Sequence, residues 1–159
     1  MNRLAFVTVG SIACVTIESL LREIGLATPL LAFYVFAVAY AVSRGWAVFS
    51  GCLFGASLDF LFGHAFPFSA ILLPLLAFPG EWFRVRHMDS LLVQSLPGLL
   101  IPLYAVLPRL ILFFSSLENF SILILSCASG IVLLPLIVFA TERLARWLRL
   151  DAEAEGASA

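Results

Sequence analysis

The chain has 159 residues, of which 62% are hydrophobic and 12% charged, and its formal net charge is −1. A water-soluble domain is nearer half apolar and a quarter charged, so this composition, with a mean hydropathy of +1.09, points to an integral membrane protein. The near-zero charge excludes a basic nucleic-acid footprint, and Cys14, Cys52 and Cys127, each inside an apolar stretch, have neither disulfide-framework nor metal-ligand spacing.

Six apolar stretches read as transmembrane helices, at residues 4–21, 29–44, 46–62, 65–79, 91–114 and 120–141. The first follows Arg3 and so resembles a signal peptide, but the apolar run continues past Cys14 to Leu21 and reads as a retained helix. The second opens on Thr28-Pro29, with Thr28 as N-cap and Pro29 at the first helical position, and runs on into Ser43 and Arg44. In the third, Gly51, Gly55, Asp59 and Gly63 recur every four residues and share one helix face. Glycine at that spacing lets two helix backbones approach closely in lipid.

The fourth stretch is the shortest, ~22 Å as a helix, and Pro67 and Pro74 interrupt it. Positive charge argues that it crosses. With six spans and both termini inside, Arg3, Arg44, Arg84, Arg86, Arg143, Arg146 and Arg149 all face the cytoplasm, while Arg22 alone lies in an outer loop. A re-entrant fourth segment would move Arg84, Arg86 and the C-terminal cluster outside. The fifth stretch carries Pro97, Gly98, Pro102 and Pro108 and is expected to kink. The sixth continues into an amphipathic cytoplasmic end, residues 142–150, where Arg143, Arg146, Trp147 and Arg149 suit either a membrane-surface anchor or a docking surface for a cytoplasmic partner. Residues 151–159 are acidic and small and are expected to be disordered.

Three charges fall inside the spans: Glu18, Asp59 and Arg109. All three lie ~4.5–7.5 Å below the outer boundary, on helices that run in the same direction. Charge facing lipid is costly, so inward pairing is the default. Asp59 with Arg109 is the first pairing to consider; Glu18 is an alternative partner for Arg109, and Arg22 lies one turn from Glu18. Such a pair would fix helix packing, or the acids would form a proton or substrate site. No catalytic constellation stands out, with no phosphate-binding loop, zinc-protease motif or nucleophile elbow, so the chain reads as non-enzymatic and without a cofactor.

The motif Gly51, Gly55, Asp59, Gly63 resembles the central motif of the rod shape-determining MreD family. Pro29 opening an apolar helix with Tyr34 and Tyr40, the chain length, and Pro135 ahead of an Arg-rich end agree with it, while Pro67 stands where the family often has a further glycine. The resemblance implies a bacterial inner-membrane protein of the cell-elongation complex, without catalytic activity. It also implies MreC as partner and, through it, MreB, RodA and a class B penicillin-binding protein. The implied fold is all-helical with six spans, akin to the S components of energy-coupling-factor transporters. That kinship leaves a second reading, a subunit that binds or transports a small solute in a polar cavity between helices.

Overall fold

The computed structural model describes residues 3–23, 28–62, 68–85, 96–102, 117–148 and 150. Among them every regular element is a helix and no strand occurs. The helices are α1 (Arg3–Glu23), α2 (Leu30–Ala41), α3 (Arg44–Leu61), α4 (Phe68–Leu75), α5 (Ala77–Val85), α6 (residues 96–102) and α7 (Leu117–Trp147).

Among the described residues, three stretches are long and apolar enough to cross a membrane: Arg3–Glu23, Phe68–Val85 and Ile124–Trp147. The distribution of side chains is compatible with a lipid surround. On α1 the inward stripe carries Val7, Ser11, Val15 and Glu18, while Val9, Ile12, Ile17 and Leu20 face outward. On α3, Ser50 and Asp59 are buried while Phe49, Leu53 and Phe60 are exposed. Large apolar faces outside and polar groups inside are the reverse of a water-soluble pattern.

The short helix α2 is the hub. All 12 of its residues are buried, and α1, α3, α5 and α7 pack around it. A helix that is apolar on every side belongs in the interior, and Leu30–Ala41 is apolar throughout apart from its two tyrosine hydroxyls. The helix ends at Ala41, short of the expected extension to residue 44. Ser43 is extended and accepts a hydrogen bond from the Trp46 amide at 3.5 Å, so it caps α3, and Arg44 begins that helix. At the other end Pro29 is the capping residue and no side chain of the flanking segment caps the helix, so the role expected of Thr28 is not filled locally.

The fourth apolar segment also differs from the expectation. Helix resumes at Phe68, breaks at Leu76 and continues to Val85, beyond the boundary at 79. The break has a covalent cause. Pro74 and Pro79 have no amide hydrogen, so two rungs of the helical ladder are missing within six residues. Leu76 N bonds back to Leu73 O at 3.0 Å, which tightens the turn between the halves. Glu81, Trp82 and Arg84 therefore lie on α5, past the boundary expected at 79.

The expected span 120–141 and its amphipathic end form one helix, α7, of 31 residues, with Pro135 inside it. At ~1.5 Å per residue it is roughly 46 Å long, more than a hydrocarbon core needs. Its end is closed where Leu150 N reaches Ala145 O at 2.9 Å. Of the expected fifth span only residues 96–102 are described, and residues 151–159 fall outside the described part.

Candidate functional site

A close helix contact joins α3 to α4, and the spaced glycines make it. A methyl group on Gly51 would stand 2.8 Å from the Pro74 nitrogen, and one on Gly55 would stand 2.7 Å from the Ser69 carbonyl. Both obstacles are main chain. Nothing larger than hydrogen fits at either position, so α4 lies directly on the α3 backbone.

Asp59 completes this contact. It lies one turn beyond Gly55 on the same face and is 3% exposed. Its Oδ2 accepts a hydrogen bond from the Ala70 amide at 3.0 Å. Ala70 is the third residue of α4, where helix amides have no partner within the helix. The carboxylate therefore caps α4 from the neighbouring helix. Negative charge is favoured at that end by the helix dipole as well as by the hydrogen bond.

Glu18 does the same for α2. It is also 3% exposed, and its Oε2 accepts from the Leu31 amide at 3.1 Å, in the first turn of that helix. Its Oε1 meets Arg22 Nη2 at 3.1 Å, one turn along α1. The missing local cap of α2 is thus supplied in space by α1. The Arg22 guanidinium lies 3.8 Å over the Phe62 ring, the residue that ends α3. That contact brings the C-terminal ends of α1 and α3 together, so both buried acids sit at the same end of the bundle. Lower down, Ser11 and Ser50, each fully buried, share a hydrogen bond of 2.7 Å between α1 and α3.

Several contacts of this kind escaped the sequence reading. The hydroxyl end of Tyr34 sits against Gly10 and donates to Phe6 O at 3.3 Å, joining α2 to α1. Gly80 faces Phe36 O, where a methyl group would stand at 2.7 Å, joining α5 to α2. Gly98 and Gly130 face each other so closely that a side chain on either would strike the other's carbonyl. The signal available was a small residue on an inward face, but these lack the four-residue rhythm that singles out α3.

Gly63, Arg109 and Arg149 lie outside the described residues, as does any contact between Asp59 and Arg109. Arg143, Arg146 and Trp147 are on the last turns of α7. Trp147 is 78% exposed, and Arg146 Nη2 pairs with Glu142 Oε1 at 2.7 Å. Among the described residues no three His, Cys, Asp or Glu side chains gather as metal ligands. Chemically, the two buried carboxylates act as acceptors for main-chain donors, and that ties each to a helix start. No protein-family profile, curated protein or solved structure matches this chain.

Proposed function

We propose that the chain is a non-catalytic membrane scaffold of the bacterial cell-elongation complex, an MreD-like protein that supports peptidoglycan synthesis and cell shape through MreC and the synthases associated with it. One observation carries the reading furthest. The Gly51, Gly55, Asp59 stripe, on which the resemblance rests, is used for backbone-level packing and capping of α4. Its residues build a rigid helix pair and are not laid out around a reacting atom. In this reading six helices cross the inner membrane, both termini are cytoplasmic, and the exposed faces and the end of α7 are the working surfaces.

The solute-binding alternative draws less support. It needs polar groups turned into a cavity between helices. Glu18 and Asp59, its natural candidates, are each bound to a main-chain amide of a neighbouring helix. Purification of the tagged protein from its native membrane in mild detergent, followed by identification of bound proteins, tests the choice. An MreC-like protein with wall-synthesis enzymes is the expected result. Recovery of an ATPase pair with a second transport subunit would overturn the scaffold in favour of the transporter.

A further inference from the structure

At the opposite end of the bundle from the two buried acids, α5 presents an outward stripe. Phe78, Trp82 and Val85 recur at positions i, i+4 and i+7, and all three are exposed. The first residue of α3, Arg44, reaches across to them, and together with Glu81 they line a groove of about 700 Å³.

Among the described residues, the charges at this end of the groove do not balance once Arg84, which lies beside the lining, is counted. Arg44 Nη1 lies 3.0 Å from Glu81 Oε2, and Arg84 Nη2 lies 3.6 Å from Oε1 of the same carboxylate. Two guanidiniums thus share one carboxylate. The Arg44 side chain remains 51% exposed while its guanidinium is held 5.3 Å from the centre of the Phe78 ring. The start of α3 adds the partial positive charge of a helix N-terminus. Arg84 is also the penultimate residue of the 18-residue apolar stretch Phe68–Val85. That places the cationic cluster at the depth where an apolar span gives way to lipid headgroups, a depth that also suits the indole of Trp82.

We propose that this groove holds one acidic glycerophospholipid, its phosphate on the exposed outer edges of Arg44 and Arg84, clear of the Glu81 carboxylate that lies between them, and one acyl chain along Phe78, Trp82 and Val85. The proposal rests on the chain being embedded in a membrane and is independent of the scaffold role. Guanidinium–phosphate hydrogen bonds are charge-assisted and match in geometry. Basic pockets at the ends of membrane helices select anionic headgroups in this way. A choline headgroup carries its own cation, which the same two guanidiniums repel. The carboxylate of Glu81 sets how the guanidiniums are held and leaves the cluster one positive charge in excess.

The test uses the full-length protein purified in mild detergent. It is incubated with equal amounts of phosphatidylglycerol and phosphatidylcholine of matched acyl chains, and bound lipid is counted by native mass spectrometry. Wild type is expected to retain phosphatidylglycerol in clear preference. Arg44→Gln and Arg84→Gln are each expected to weaken that retention roughly tenfold, the value of one charge-assisted hydrogen bond. Trp82→Ala should weaken both lipids alike, and Arg3→Gln, on α1, should change neither. If Arg44→Gln does not fold, Arg84→Gln and Trp82→Ala still decide the matter. Equal retention of the two lipids by wild type, unchanged retention in both arginine variants, or an equal loss in Arg3→Gln would each overturn the site. A protein found outside the membrane fraction of cells would overturn the site and the membrane reading together, whereas a membrane-embedded protein without lipid preference would overturn the site alone.

Discussion

Replacing Gly55 by alanine probes the α3–α4 contact most directly. The added methyl carbon would stand 2.7 Å from both the carbonyl carbon and the oxygen of Ser69, and 2.9 Å from the Ala70 nitrogen. Comfortable carbon contacts begin near ~3.5 Å, so the helices must part by roughly 1 Å. Because the obstacle is main chain, no change of rotamer relieves it. The same displacement acts on the adjacent bond from Ala70 N to Asp59, now 3.0 Å long. Lengthened by roughly 1 Å, that bond passes out of hydrogen-bonding range. Overpacking of this kind costs about 1–3 kcal/mol and loss of an N-terminal cap about 0.5–2 kcal/mol. Alanine recovers about 1 kcal/mol over glycine through helix propensity. The net expectation is a loss of roughly 0.5–4 kcal/mol. Gly45 is the internal control, because nothing lies within 4 Å of a methyl group placed there. Gly45→Ala should leave stability unchanged or raise it by up to about 1 kcal/mol. Unfolding of the purified proteins in mild detergent, by heat or by added dodecyl sulfate and followed by circular dichroism, reads both. If Gly55→Ala is as stable as wild type, the two backbones are not in contact and the packing argument fails.

The two acid caps give a second expectation. Glu18→Ala and Asp59→Ala each strand a buried amide, at a cost of about 1–3 kcal/mol, whereas Glu18→Gln and Asp59→Asn keep an acceptor oxygen and should cost less. An alanine variant no worse than its amide counterpart in the same unfolding assay would remove the capping role. Crossing Asp59→Asn with Arg109→Gln measures whether those two charges interact: strictly additive losses would show that they do not, and Glu18 would become the better partner for Arg109. For topology, a reporter active only in the periplasm and fused after Ala159 should be silent. Full activity would overturn six spans with both termini inside, and the broken α4–α5 segment would be the first to re-examine.

Much of this architecture is visible in the residues, and the parts that are not share a cause. Hydropathy reads α1 and the body of α3 closely because each has a long apolar run with a clear end. It separates α2 from α3 but sets the boundary at residues 44–46, whereas α2 ends at Ala41 and α3 begins at Arg44. The one local clue is Ser43, a residue type that favours capping positions. The four-residue rhythm of Gly51, Gly55 and Asp59 identifies a packed face but not what packs on it. For Asp59 and Glu18 the expectation was a charged partner. Glu18 does pair with Arg22, yet each acid also binds a main-chain amide. Such donors are invisible to sequence reading, because every helix start offers them whatever its side chains. On α5 the charges of Glu81 and Arg84 lie past the apolar run that sets the boundary at 79, but Glu81 pairs with both Arg44 and Arg84, and the helix continues to Val85.

The caps also bear on how the protein is made. Glu18 and Leu31 are 13 residues apart, and Asp59 and Ala70 are 11 apart, so each acid leaves the ribosome shortly before the amide that it will bind. With 12 residues, α2 spans about 18 Å of a core ~30 Å thick. It is too short to enter a bilayer as a self-sufficient span and wait for its neighbours. Its exposed first turn would carry unsatisfied amides into hydrocarbon, which lipid cannot repair. For a chain embedded in a membrane, the expected unit of insertion is then the hairpin of α1 with α2, and after it the hairpin of α3 with α4, each closed by the carboxylate that its first helix delivers. A ribosome stalled after α2 should yield a hairpin resistant to extraction from the membrane, and Glu18→Ala should let that same nascent hairpin slip out.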